Sequence, residues 1–196
     1  MTPDHVLQLF RDSGALLEGH FILTSGLHST GYLQCARVLQ YPQHAETLGR
    51  ALGEAVRAAG LEVDAVLSPA MGGLIIGHEV GRALGVRAIF AERQDGTLTL
   101  RRGFALQRGE RVLIVEDVVT TGKSTVETVA VARAAGAEVV GAASIINRGG
   151  GADVGVPYVG LASVSFPTFA ADQIPDNLRD VPAVKPGSRP GHVPTP

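Results

Sequence analysis

At 196 residues, 45% of them apolar, and with a mean hydropathy of +0.19, the chain has the length and composition of one domain around a buried core, which excludes a disordered polypeptide. Its 17 basic and 19 acidic residues leave a net charge of −2, so there is no general basic field to hold nucleic acid or an acidic membrane. Cys35 is the sole cysteine, which rules out an intramolecular disulfide or a cysteine-rich metal site and suits a reducing cytosol; the thiol reads as a small buried hydrophobe. Only Lys123 and Lys185 are lysines, so a cation needed for chemistry falls mostly to arginine. The start, Met1-Thr-Pro-Asp-His, lacks the basic and apolar regions of a signal peptide, and no apolar run reaches membrane-spanning length. The expectation is a soluble, cytoplasmic protein.

Thr2 is placed to cap a helix with Pro3 at its first position, and Val6, Leu9, Phe10, Leu16 and Leu17 continue at helical spacing. Gly19, Gly26 and Gly31 then punctuate His20–Thr24 and Tyr32–Cys35, which read as two short strands and a turn. Ala45, Leu48, Leu52, Ala55 and Ala59 mark a helix ending at Gly60. A strand over Ala65–Ser68, a helix over Gly73–Leu84 and a strand over Val86–Ala91 follow. Thr97–Phe104 reads as a flexible arm or a ribbon. A strand over 112–116, a helix over 124–135 and a strand over Glu138–Asn147 complete an alternating pattern, which predicts a parallel sheet covered on both faces. From Asp172 proline density rises, and the Pro-rich tail 185–196 can hold no helix or central strand; it reads as a surface-wrapping or mobile end.

The most informative stretch is Val112-Leu-Ile-Val-Glu-Asp-Val-Val-Thr-Thr-Gly-Lys-Ser-Thr125. A continuous branched run suits a strand buried on both faces, and it delivers Glu116 and Asp117 to the strand's carboxyl end, where open α/β sheets collect ligands. Two carboxylates there can accept hydrogen bonds from vicinal hydroxyls such as those of a ribose. Thr120, Thr121, Gly122, Lys123, Ser124 and Thr125 supply hydroxyls, backbone N–H groups and a flexible glycine at a helix start, which makes a phosphate site. Gly122-Lys123-Ser124 also looks like the end of a nucleotide-triphosphate loop, but that motif needs glycine where Asp117 stands.

The strand, acid-acid, Thr-Thr-Gly pattern resembles the phosphoribosyl-pyrophosphate loop of the type I phosphoribosyltransferases. The resemblance implies a parallel sheet flanked by helices, a small amino-terminal hood over residues 1–40 and a flexible catalytic loop, all within a single domain of residues 1–196. Three further segments point to the orotate branch of that family. Glu18-Gly-His-Phe-Ile-Leu-Thr-Ser-Gly-Leu-His-Ser-Thr-Gly-Tyr32 resembles its amino-terminal segment, which implies Tyr32 beside the base; Ser144-Ile-Ile-Asn-Arg148 implies that Arg148 binds the orotate carboxylate, with Thr120 on the other side of the ring. Lys185-Pro-Gly-Ser-Arg189 is similar to a carboxyl-terminal signature of one bacterial group. Ser68-Pro-Ala-Met-Gly-Gly-Leu-Ile-Ile-Gly77 resembles the family's pyrophosphate loop, in which Ala70, Met71 and Gly72 face the diphosphate.

The resemblance implies that Val118 and Val119 join the donor site, that Glu116 and Asp117 act in catalysis, and that Mg²⁺ is carried mainly by the substrate, with no protein metal site. It also implies a homodimer whose loop arginines act in the neighbouring site. The family's loop lysines and histidine are missing between Glu92 and Phe104, so Arg93, Arg101 and Arg102 are the candidates, with Arg101 and Arg102 taken as catalytic. Thr24 and Gly72 stand where the better-known branch has lysines, so those contacts do not transfer. His20 and His28 lie near the implied base pocket and read as surface or hydrogen-bonded histidines. Two rival readings remain: a purine or xanthine phosphoribosyltransferase, for which Ser163–Phe169 would be the recognition segment, and a regulator that senses the donor without turning it over.

Overall fold

The computed structural model describes residues 1–23, 25–148 and 153–186. Thr2 caps α1 (Pro3–Asp12) by accepting a hydrogen bond from the His5 N–H at 3.3 Å. The helix stops earlier than its apolar spacing predicts. Gly14 takes a left-handed φ of 62°, and the Ala15 N–H closes back on the Phe10 carbonyl at 2.7 Å, a helix-ending bond pattern. Leu16 and Leu17 therefore belong to β1 (Leu16–Ile22), where they pair with Leu33 and Tyr32 of β2 (His28–Leu33). A short α2 (Ala36–Leu39) leads into α3 (Pro42–Ala58).

β3 (Ala65–Pro69), α4 (Gly73–Leu84) and β4 (Arg87–Gln94) follow as the sequence predicts to within a few residues. Of the two options for the next segment the ribbon is found: β5 (Thr97–Leu100) returns antiparallel on β4 through Asp95 and Gly96. Both turn residues have positive φ, 50° and 84°, which gives the turn the hand that strand twist requires in a two-residue hairpin. β6 (Arg111–Val119), α5 (Lys123–Ala134) and β7 (Glu138–Asn147) form the next unit. β6 runs past the expected end at Glu116, because Val118 and Val119 remain paired with Ile146 and Asn147. β8 (Tyr158–Ser163), β9 (Thr168–Phe169) and α6 (Asp176–Arg179) close the described chain and were not foreseen.

Among the described residues, six strands form a sheet in the order β5-β4-β3-β6-β7-β8, parallel except for β5. Val6, Phe10, Leu48, Leu52, Ile76 and Val80 from the helices cover Val66, Leu113 and Val115 on one face. Val129 and Ala132 of α5 cover Leu67, Val112 and Ile114 on the other. A second, three-stranded sheet, β1-β2-β9, makes the hood. Val184 runs along β1, its N–H donating to the His20 carbonyl at 2.9 Å, so the chain ahead of the tail wraps the hood. The expectations for Thr24, Gly149–Gly151 and the tail beyond Pro186 lie outside the described residues. No described helix is long and apolar enough to cross a membrane.

Candidate active site

The site grows from a fork in the sheet. β3 and β6 pair only as far as Leu67 and Ile114, while β6 stays paired with β7 to Val119 and Asn147. Into the fork comes the loop after β3, with Ala70, exposed Met71 and Gly72. A methyl group on Gly72 would lie 2.7 Å from Asp117 Oδ1, and one on Gly73 would lie 2.8 Å from the Val115 carbonyl oxygen. These glycines let the loop backbone rest against the carboxylate strand.

Successive strand residues point to opposite faces, and the two acids divide accordingly. Asp117 lies against Gly72, accepts from the Val118 N–H at 2.8 Å, and has the Cys35 thiol close enough to favour its charged form. Burial raises its pKa, against the pull of those contacts. Glu116 instead lines a cavity of about 190 Å³ with Val118, Val119 and Thr120–Thr125. It is 8% exposed, and burial, with the Asp117 charge second, pushes its pKa up to about 8. Among the described residues neither acid has an ion-pair partner. Buried carboxylates without a cation are costly, and they are typical of a site that completes itself with a ligand.

The other end of that cavity is the start of α5. Gly122 takes φ 75° and caps the helix with no side chain, so the Ser124 and Thr125 N–H groups have no acceptor among the described residues. Free first-turn N–H groups and the helix dipole favour an anion. Exposed Lys123 is 4.0 Å from Glu127. Thr120 leaves β6 directly beside the end of β7, where the Arg148 N–H donates to the Val119 carbonyl at 2.8 Å. The structure thus brings Glu116, Asp117, Ala70–Gly72, Thr120–Ser124 and Arg148 to one edge of the sheet.

Other expected residues sit less simply. Tyr32 packs 6.0 Å from Phe21, on the side of β2 opposite that on which Gly31 meets Phe166. His20 and His28 are buried inside the hood. His20 Nδ1–H donates to the Val181 carbonyl at 2.8 Å, and its Nε2 shares a 2.6 Å bond with His28 Nδ1. Arg93 is tied to Glu127 at 2.5 Å, and Arg102 grips Glu92 with two bonds of 2.7 and 2.8 Å. Arg101 is exposed and makes no side-chain hydrogen bond or ion pair among the described residues; its field reaches Glu92. Sequence reasoning missed the contact of Cys35 with Asp117 and of Phe166 with Arg148 (5.7 Å from guanidinium carbon to ring centroid). Both contacts join segments distant in sequence and leave no local signal.

Residues 35–169 match the model of the phosphoribosyl transferase domain family. An orotate phosphoribosyltransferase of Erythrobacter litoralis is 56% identical over 191 residues, 96% of this chain and 99% of the relative. This chain belongs to the orotate phosphoribosyltransferase family. A second member, from Novosphingobium aromaticivorans, is 54% identical over 96% of this chain and 98% of its own length. The crystal structure of the orotate phosphoribosyltransferase of Aeropyrum pernix superposes with a TM-score of 0.65 at 27% identity, over 81% of this chain and 93% of that one. The orotate phosphoribosyltransferase fold therefore extends over the parallel sheet and its helices, as the donor-loop motif led us to expect.

Proposed function

We infer that this chain transfers the 5-phosphoribosyl group of phosphoribosyl pyrophosphate to orotate, giving orotidine 5′-phosphate and pyrophosphate in pyrimidine biosynthesis. The observation that carries the reading is the common edge of β6 and β7, where a phosphate-binding helix start and an arginine emerge side by side. The α5 loop takes the 5′-phosphate, the Ala70–Gly72 loop takes the diphosphate, and Arg148 takes the orotate carboxylate while Thr120 holds the far side of the ring. Arg93 and Tyr32 are part of the same proposal, at the donor and the base respectively, and to serve there Arg93 would have to leave Glu127 and Tyr32 its place against Phe21 on the face of β2 away from Phe166.

As the bond from the anomeric carbon to the diphosphate oxygen lengthens, positive charge grows on the ribose. No protein nucleophile is needed; the demand is for positioning and for negative charge fixed near that carbon. Glu116 and Asp117 are placed to meet it and to accept from the ribose hydroxyls, Glu116 giving up the proton it holds in the empty site once a bound cation favours its charged form. Among the described residues no group of three or more His, Cys, Asp or Glu could hold a metal ion. The two carboxylates are hard oxygen donors, which fits Mg²⁺ held mainly by the donor's own oxygens and water, with Glu116 and Asp117 the nearest protein groups that would steady it. When bound, the ion neutralises charge on the departing diphosphate. A loop arginine, acting from a second copy in a homodimer, stabilises the same group and helps exclude water. Cytoplasmic residence completes the reading and rests on the lone, buried thiol.

The test is turnover with phosphoribosyl pyrophosphate and Mg²⁺, followed by loss of orotate absorbance, with hypoxanthine and adenine as competitors. Orotate should be consumed and the purines left, and Arg148→Ala should raise KM for orotate strongly while changing KM for the donor little. Consumption of a purine instead, or an equal rise in both KM values, defeats the assignment.

A further inference from the structure

Phe166 lies in the connection from β8 to β9, where the chain passes from the main sheet to the hood. Two neighbours define its place. The Arg148 guanidinium carbon stands 5.7 Å from the ring centroid, within the range at which a cation is drawn to an aromatic face. On the hood side, a Cβ on Gly31 would fall 2.2 Å from Cε1, 2.3 Å from Cδ1 and 2.7 Å from Cζ of the ring. Gly31 is not among the residues with positive φ, so its backbone conformation does not call for glycine. The ring does. The backbone after the ring is pinned to β2, with the Thr30 N–H donating to the Pro167 carbonyl at 3.4 Å and Thr168 in register with Ser29, while ahead of it the Val164 N–H donates to the Asn147 carbonyl of β7 at 2.9 Å.

We propose that Phe166, seated in the Gly31 notch, is the positioning residue that aims the Arg148 guanidinium at the carboxylate of an anionic pyrimidine. The proposal rests on the orotate reading above and adds how its key arginine is held. A guanidinium that lies over a ring uses its face there and keeps its N–H edge free for a planar carboxylate. It also keeps few of the rotamers that an unsupported arginine would lose on binding, so the ordering cost is met in the folded protein rather than at the encounter with the base. Because β2 carries the notch, the position of the hood is transmitted to base selection through one ring. Donor binding at the start of α5 makes no use of this contact.

The experiment is a double-mutant cycle of Phe166→Leu and Arg148→Ala, read as kcat/KM for orotate with the donor KM measured alongside. In the otherwise unchanged enzyme Phe166→Leu should lower kcat/KM for orotate on the order of tenfold through KM, with kcat and the donor KM little changed. In the Arg148→Ala background the same substitution should add little. Gly31→Ala, which pushes the ring from its seat, should reproduce the selective loss and serves as the second variant if Phe166→Leu does not fold. Additive losses, or equal rises in both KM values, make Phe166 a hood-packing residue and overturn the proposal while leaving the orotate reading intact. A folded wild-type protein that does not consume orotate overturns both.

Discussion

Glu116 is held at 8% exposure beside a second carboxylate, and its pKa of about 8 stands well above the ordinary 4.5. Between those values the folded chain keeps a proton that the unfolded chain gives up. The folded state is therefore favoured at low pH and loses stability as pH rises through about 8, by a few kcal/mol in order of magnitude. Asp117 is shifted in the same direction and adds to the same trend. Glu116→Gln carries no charge at any pH, so it should melt near the wild type at about pH 5 and clearly above it at about pH 9, in substrate-free, metal-free protein. Parallel melting curves across that range would show that the burial of this charge costs nothing. The pair itself was legible in the sequence, because an apolar run ending in two acids has few structural uses. What the sequence hid was their divergence: β6 stays extended to Val119, so Glu116 turns to the α5 cavity and Asp117 to Gly72 and Cys35.

At the scale of elements, the units with strong local patterns were readable. The predicted helix from about Gly73 to Leu84 and the predicted strand Glu138–Asn147 coincide with α4 and β7, since glycine termini and branched runs mark their ends. β8 and β9 were not, because Tyr158–Ser163 contains Gly160 and small residues and gains its strand form from pairing with β7, while β9 is two residues held by β2. The end of α1 was lost to a single left-handed glycine. The loop between β3 and α4 offers a test that separates backbone fit from steric fit. Gly72 has φ −56° and ψ −44°, values that alanine adopts readily, yet its methyl would sit 2.7 Å from Asp117 Oδ1. Gly72→Ala should lower the melting temperature only modestly, since its backbone conformation suits alanine and the cost is confined to the contact with Asp117, while kcat/KM for the donor falls on the order of tenfold or more as the carboxylate or the loop is displaced. Full activity in this variant would mean that the loop and Asp117 need not meet during turnover.

For the whole molecule, the question is from which chain the arginine we propose for catalysis would come. Arg93 is committed to Glu127 and Arg102 to Glu92, whereas Arg101 projects into solvent from the end of the β5 edge strand. In the strand order β5-β4-β3-β6, Arg101 and Asp117 of one chain are separated by three inter-strand steps, about 14 Å across the sheet. That span favours our proposal that the arginine serves the site of a second copy, and it gives Arg101 precedence over its two tethered neighbours. Arg101→Ala should thus cost more activity than Arg102→Ala. Mixing Arg101→Ala chains with Asp117→Asn chains should then restore activity that neither has alone. Each mixed dimer holds one site with both defects and one with neither, so random pairing of equal amounts gives about a quarter of wild-type activity. No recovery in mixtures shown to contain the mixed dimer would place the arginine and the acid in the same chain's site, and the hairpin would then have to fold back over its own sheet to reach it.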